Sequence, residues 1–94
     1  MTTVALKKAI QAHAEEVNSL TFREPNGEDI QACGYPFRLS EGQVYPEAGS
    51  ISKYISRLAK IPHSSVKQLG AEDFNACMAV ILGFFGEEEE PPTT

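Results

Sequence analysis

The most constraining pattern in the chain is a helical one near its end. Phe74, Cys77, Met78, Ile81, Leu82 and Phe85 recur at three- and four-residue spacing, which predicts one apolar face on a helix starting near residue 71. Glu72 and Asp73 fall in its first turn, where acids suit the positive end of the helix dipole, and Gly86 can end it. An amphipathic helix this short must bury its stripe against other elements. Its last six residues add Val80 and Phe84 outside the stripe, making that end apolar almost all round. Either this is the central helix of the fold, or the surplus face meets a partner.

A second helix follows from Ile51, Tyr54, Ile55 and Leu58, at i, i+3, i+4 and i+7, with Arg57 and Lys60 near its carboxyl end and Pro62 beyond it. Ser64 or Ser65 can cap one further turn over residues 66–69, stopped by Gly70. Pro25-Asn26-Gly27 marks a break, after which Asn26 can cap a short helix with Glu28 and Asp29 in its first turn, Ile30 and Cys33 inside, and Gly34 as its stop. Residues 35–48, holding Pro36, Gly42 and Pro46, are expected to form a long loop.

The first 24 residues admit two readings. Leu6, Ile10, Ala14 and Val17 have helical spacing, whereas Val4, Leu6 and Ile10 share one face of a strand. Leu20 and Phe22 then form the inner face of a second strand. Val17 stands out of step with Leu20, so a bulge is expected near Asn18 and Ser19. Residues 11–16 contain no Gly, Asn or Asp, so local turn chemistry is weak, and periodicity alone leaves the helix over residues 5–16 open.

Charge narrows the functional classes. The chain of 94 residues has a formal net charge of −5, but four of its 13 acids are Glu87, Glu88, Glu89 and Glu90. Residues 1–86 therefore hold 8 basic against 9 acidic groups. That balance argues against a nucleic-acid reader, which needs a basic stripe. Residues 87–94, four acids and then Pro91 and Pro92, are expected to be a disordered tail that aids solubility. The longest apolar run, residues 76–85, is too short for a membrane span, and Lys7 and Lys8 precede no apolar stretch of the signal-peptide kind.

Catalytic patterns are poor. None of the serines sits in a Gly-x-Ser-x-Gly elbow, and Ser64 and Ser65 beside His63 are better explained as caps. His13 with Glu16, or His63 with its neighbours, offers at most two ligands where structural zinc takes four. Cys33 and Cys77 lie in helix-like apolar patterns and read as buried thiols in a reducing compartment. No glycine-rich phosphate loop is present. No catalytic residue, metal or cofactor is expected.

The order of these pieces resembles a known family. Val4-Ala5-Leu6-Lys7-Lys8, then Leu20-Thr21-Phe22-Arg23-Glu24-Pro25-Asn26-Gly27-Glu28-Asp29-Ile30, is similar to the start of the small tail assembly chaperones of contractile-tailed phages. There a short leading strand precedes a Leu-Thr-Leu-Arg-x-Pro strand and a Gly-x-Asp-Leu helix start. Tyr54-Ile55-Ser56-Arg57-Leu58-Ala59-Lys60-Ile61-Pro62, then Val66, Leu69, Asp73 and Phe85, resembles the family's later region. The family usually has proline where Ala9 stands here.

The resemblance implies an α+β fold in one small domain over residues 1–86: an N-terminal β-hairpin, at roughly residues 3–10 and 16–23, followed by three to four helices. It implies a chaperone that binds the tape measure protein, keeps it soluble in the host bacterial cytoplasm while tail tube subunits polymerise, and then leaves. The tail tube protein and a second copy of the chain are the further partners considered. Some such genes also make a longer, frameshifted product. Tyr54, Val80 and Phe84 are the expected partner-binding residues. The competing expectations are a structural tail or connector subunit retained in the virion, and a small regulator of a host protein.

Overall fold

A computed structural model describes residues 1–86. The predicted acidic tail, residues 87–94, lies outside the described residues. The elements run β1 (Thr2–Ala12), β2 (Glu15–Phe22), α1 (Gly27–Cys33), β3 (Phe37–Ser40), β4 (Gln43–Pro46), α2 (Ala48–Ala59), α3 (His63–Val66) and α4 (Ala71–Phe84). The fold is α+β, with an N-terminal hairpin followed by four helices.

β1 and β2 pair antiparallel, so the helix over residues 5–16 does not form. The two-residue turn, His13-Ala14, places both residues at positive φ, 55° and 63°, without the glycine or asparagine that usually relieves such a turn. A tertiary bond supports it: His13 Nε2 donates to the Lys60 carbonyl at 3.0 Å. The bulge also differs from expectation. Ala5 pairs Ser19 and Ile10 pairs Val17, so the four residues Leu6, Lys7, Lys8 and Ala9 oppose Asn18 alone. The extra residues belong to β1, not β2. Their backbone is held from the side, because the buried Asp73 carboxylate of α4 accepts from Lys7 N at 3.0 and 3.1 Å and from Lys8 N at 3.1 Å. Ala9 falls in this unpaired stretch, where a proline would cost no ladder bond.

β1 is secured further along its length. Gln68 Oε1 accepts from Gln11 N at 2.8 Å, and the Ser65 hydroxyl donates to the Gln11 carbonyl at 2.6 Å. Ser65 is thus a buried clasp and not a helix cap, and α3 begins earlier than expected, after Pro62.

The core joins Ile10, Ala12, Leu20 and Phe22 of the hairpin to Cys33, to Ile51, Tyr54, Ile55 and Leu58 of α2, to Ile61 and Val66, and to Cys77 and Ile81 of α4. α4 packs on β1 and α2 on β2, while α2 also touches α1, α3 and α4. The central helix is therefore α2. In α1 Cys33 is buried as expected, but Ile30 is only half-buried and Asp29 goes inside instead.

The stretch expected to be a long loop forms a second hairpin. β3 and β4 pair with Phe37 opposite Pro46, Arg38 opposite Tyr45, Leu39 opposite Val44 and Ser40 opposite Gln43. Glu41 and Gly42 make the turn, both at positive φ, 52° and 78°. This pair forms a two-stranded sheet of its own.

Candidate partner-binding surface

The chain's charged node is structural. Asn26 and Asp29 form a reciprocal capping box at the start of α1. Asp29, 1 % exposed, then accepts from Arg23 Nη1 at 2.7 Å, Arg23 Nη2 at 2.9 Å, Arg57 Nε at 2.6 Å and Asn26 N at 2.9 Å. The Arg23 bonds, aided by Arg57 and the Asn26 amide and opposed by burial, hold its carboxyl well below the usual range. A carboxylate saturated with donors is a poor base, so the node ties β2, α1 and α2 together.

A groove of about 290 Å³ lies beside it, lined by Ala32, Cys33, Lys53, Ser56, Arg57 and His63. Its Arg57, Ser56 and Cys33 groups are engaged or unreactive. The Ser56 hydroxyl donates to the Ile61 carbonyl at 2.6 Å, and burial pushes the Cys33 thiol up. Burial likewise pushes the Cys77 thiol up to about 11. Both cysteines are free and buried. His13 and His63 are exposed, and no group of three metal-ligating side chains comes together among the described residues.

Tyr54 is not a surface residue. It is fully buried, its hydroxyl donates to the Gly34 carbonyl, and burial pushes the phenol up to about 12. The i, i+3, i+4 pattern that identified the helix also placed Tyr54 on its inner face, so its role is packing and a partner cannot reach it. Val80 and Phe84 are half-buried and pack on the edge of the core, each leaving some surface open. Because α2 is central, the surplus apolar end of α4 is not accounted for by a central position.

Phe85, the residue after α4, packs on the second hairpin. Phe85 meets Tyr54 edge-on at 5.6 Å between ring centroids, Phe37 at 6.0 Å and Tyr35 at 6.1 Å, and Tyr35 meets Phe37 at 5.9 Å. Phe37 and Leu39 point to the same face of β3, and Val44 stands opposite Leu39 on it. The aromatic cluster thus runs outward into Leu39, 68 % exposed, and Val44, 51 % exposed, with Tyr35 at 58 % beside it. On the other face Arg38 lies 5.1 Å over the Tyr45 ring and bonds Glu47 at 2.8 Å. Leu39 and Val44 were hidden from sequence reasoning because residues 35–48 read as a loop. The visible signal was Glu41-Gly42 after the alternating Phe37-Arg38-Leu39-Ser40 and before the β-favouring Val44-Tyr45.

No described helix is long and apolar enough to cross a membrane. A family model described as "Phage tail assembly chaperone proteins, E, or 41 or 14" matches residues 3–86. No curated protein and no solved structure matches the chain.

Proposed function

We propose a function from one premise: the chain belongs to the phage tail assembly chaperone family. Membership implies dealings with tail proteins. The client, in our reading, is the tape measure protein, held soluble in the host cytoplasm while tube subunits assemble around it and released before the virion is complete. The tail tube protein is the second partner in this scheme.

The observations that support it are the apolar surface running from Phe85, Tyr35 and Phe37 to Leu39 and Val44, and the half-buried Val80 and Phe84 on α4. Covering the exposed parts of Leu39 and Val44 is worth roughly 1–2 kcal/mol each. Association costs on the order of 4–15 kcal/mol, so one such contact is weak and reversible. A long client offering many similar segments is covered by repetition, which suits a factor that must leave.

Co-expression with the tape measure protein tests the role. The client should stay in the soluble fraction with the chaperone and sediment without it. Val80→Asp with Phe84→Asp should reduce that protection. Mass spectrometry of purified particles should find the chain missing, and its presence in many copies would instead make it a structural subunit.

A further inference from the structure

We propose that the outer edge of β3 is a docking site for an extended client segment of alternating apolar and polar residues, added to the hairpin as a third strand. The inference rests on the chaperone reading above and adds the conformation in which the client is held. The Glu47 amide donates to the Pro36 carbonyl, so these two residues are a hydrogen-bonded pair of the ladder. In an antiparallel ladder such pairs alternate with pairs whose backbone groups point outward. Arg38 with Tyr45 and Ser40 with Gln43 therefore bond across the hairpin. Phe37 with Pro46 and Leu39 with Val44 turn their backbone groups away from it.

The two outer edges differ. On β4, Pro46 has no N–H, so Val44 supplies the outward donor of that edge alone. On β3, the amides and carbonyls of Phe37 and Leu39 all face outward, with no hydrogen-bond partner among the described residues. Elsewhere the fold closes an edge with side chains: Asp73 takes the Lys7 and Lys8 amides of β1, and Gln68 and Ser65 take the amide and carbonyl of Gln11. β3 has no such clasp among the described residues. An edge with open donors and acceptors is a template for another strand.

The face beside the edge selects the segment. Phe37 and Leu39 project to one side, Leu39 is 68 % exposed, and Val44 continues the apolar row across the hairpin. Arg38 projects to the other side, where Glu47 and Tyr45 engage it. A strand bonded to Phe37 and Leu39 sets its residues i and i+2 beside their side chains and residue i+1 beside Arg38. Apolar residues at i and i+2 with a polar one between match both sides. Other occupants match less. A helix satisfies its own backbone and offers nothing to the four outward groups. A second copy in a two-fold β3–β3 contact bonds all four only with Phe37 opposite Leu39 twice. That register sets the two Arg38 residues directly opposite each other, in the closer kind of pair.

NMR titration of the full chain tests this with a nine-residue peptide alternating valine and threonine, and with a peptide of the same composition whose valines are consecutive. The alternating peptide should bind at least fivefold tighter. At saturation it should slow amide exchange at Phe37 and Leu39 at least fivefold and leave Val44 unchanged. Slowing at Val44 alone would place the strand on β4 and overturn the proposal. Single N-methylation along the peptide should weaken binding at every second amide and leave the amides between within twofold. Loss at every amide marks a helix and loss at none marks apolar contact alone; either overturns the proposal. Leu39→Ser with Val44→Ser should weaken the alternating peptide at least fivefold without moving the thermal melt. Equal binding of the two peptides overturns strand addition, while a tape measure protein still soluble in co-expression leaves the chaperone role standing. A dimer of the free chain seen by light scattering and abolished by Leu39→Ser with Val44→Ser would assign the site to a second copy and overturn the proposal.

Discussion

Replacing Asp29 with asparagine should cost more stability than any other single-atom-scale change in the chain. Asp29 accepts three guanidinium bonds and one backbone bond while only 1 % exposed. The amide keeps one acceptor but turns an N–H₂ toward a guanidinium, leaving buried donors facing each other. Removing one member of a fully buried pair typically costs about 3–5 kcal/mol. Here the Arg23 and Arg57 side chains are 32 % and 37 % exposed and can rehydrate, which lowers the expected loss to about 2–3 kcal/mol. For a domain of this size that corresponds to about 10–15 °C in Tm. The acid limb carries an independent signature. Asp29's carboxyl is depressed in the folded state, so its stabilisation is fully present above its ordinary value of 3.8 and is lost as pH falls through the lower folded value. Asp29→Asn should therefore flatten the fall in stability below about pH 4. Urea denaturation at pH 7 and along an acid series measures both effects. A variant within 0.5 kcal/mol of the parent at pH 7, a threshold far below the expected cost of a buried charged bond, would refute the reasoning.

Asp73→Ala should cost about 2 kcal/mol, because two backbone N–H groups in the β1 bulge lose their acceptor, and amide exchange should quicken first at Lys7 and Lys8. Tyr54→Phe should cost about 1 kcal/mol in denaturant melts by orphaning the Gly34 carbonyl while the ring stays buried. Cys33 and Cys77 should resist a thiol reagent in the native chain and react at the rate of unfolding, since burial raises both thiols. Fast labelling at pH 7 would contradict the packing.

Helices were legible where their reasons are local. Ile51, Tyr54, Ile55 and Leu58 all face inward as their spacing predicts, and Asn26 caps α1. The first hairpin was ambiguous because what fixes β1 is remote: Asp73, Ser65 and Gln68 lie 54 to 66 positions along the chain from the groups they hold. No window of periodicity contains them. The second hairpin was lost for the opposite reason. Its strands are four residues long and bounded by Pro36 and Pro46, so its signal was short enough to pass for a loop. The proposed surface drew on both kinds of signal. Val80 and Phe84 stood out as surplus to the α4 stripe, Tyr54 belonged to the core, and Leu39 and Val44 needed the pairing to be noticed at all.

That pairing separates the second hairpin from the charged nodes of the body. The body's buried charges are satisfied by Arg23, Arg57 and two backbone amides of β1, none of them in the second hairpin. The hairpin meets the body through Phe37 and Tyr35 on Phe85, and its base is closed by the Glu47 amide donating to the Pro36 carbonyl at 2.9 Å. Leu39 and Val44 therefore contribute little to the core, yet they expose apolar surface on a sheet whose outer edges have no strand neighbour among the described residues. Such a surface invites self-association unless something opposes it. Glu41, exposed at the tip, supplies same-sign repulsion between copies that meet there.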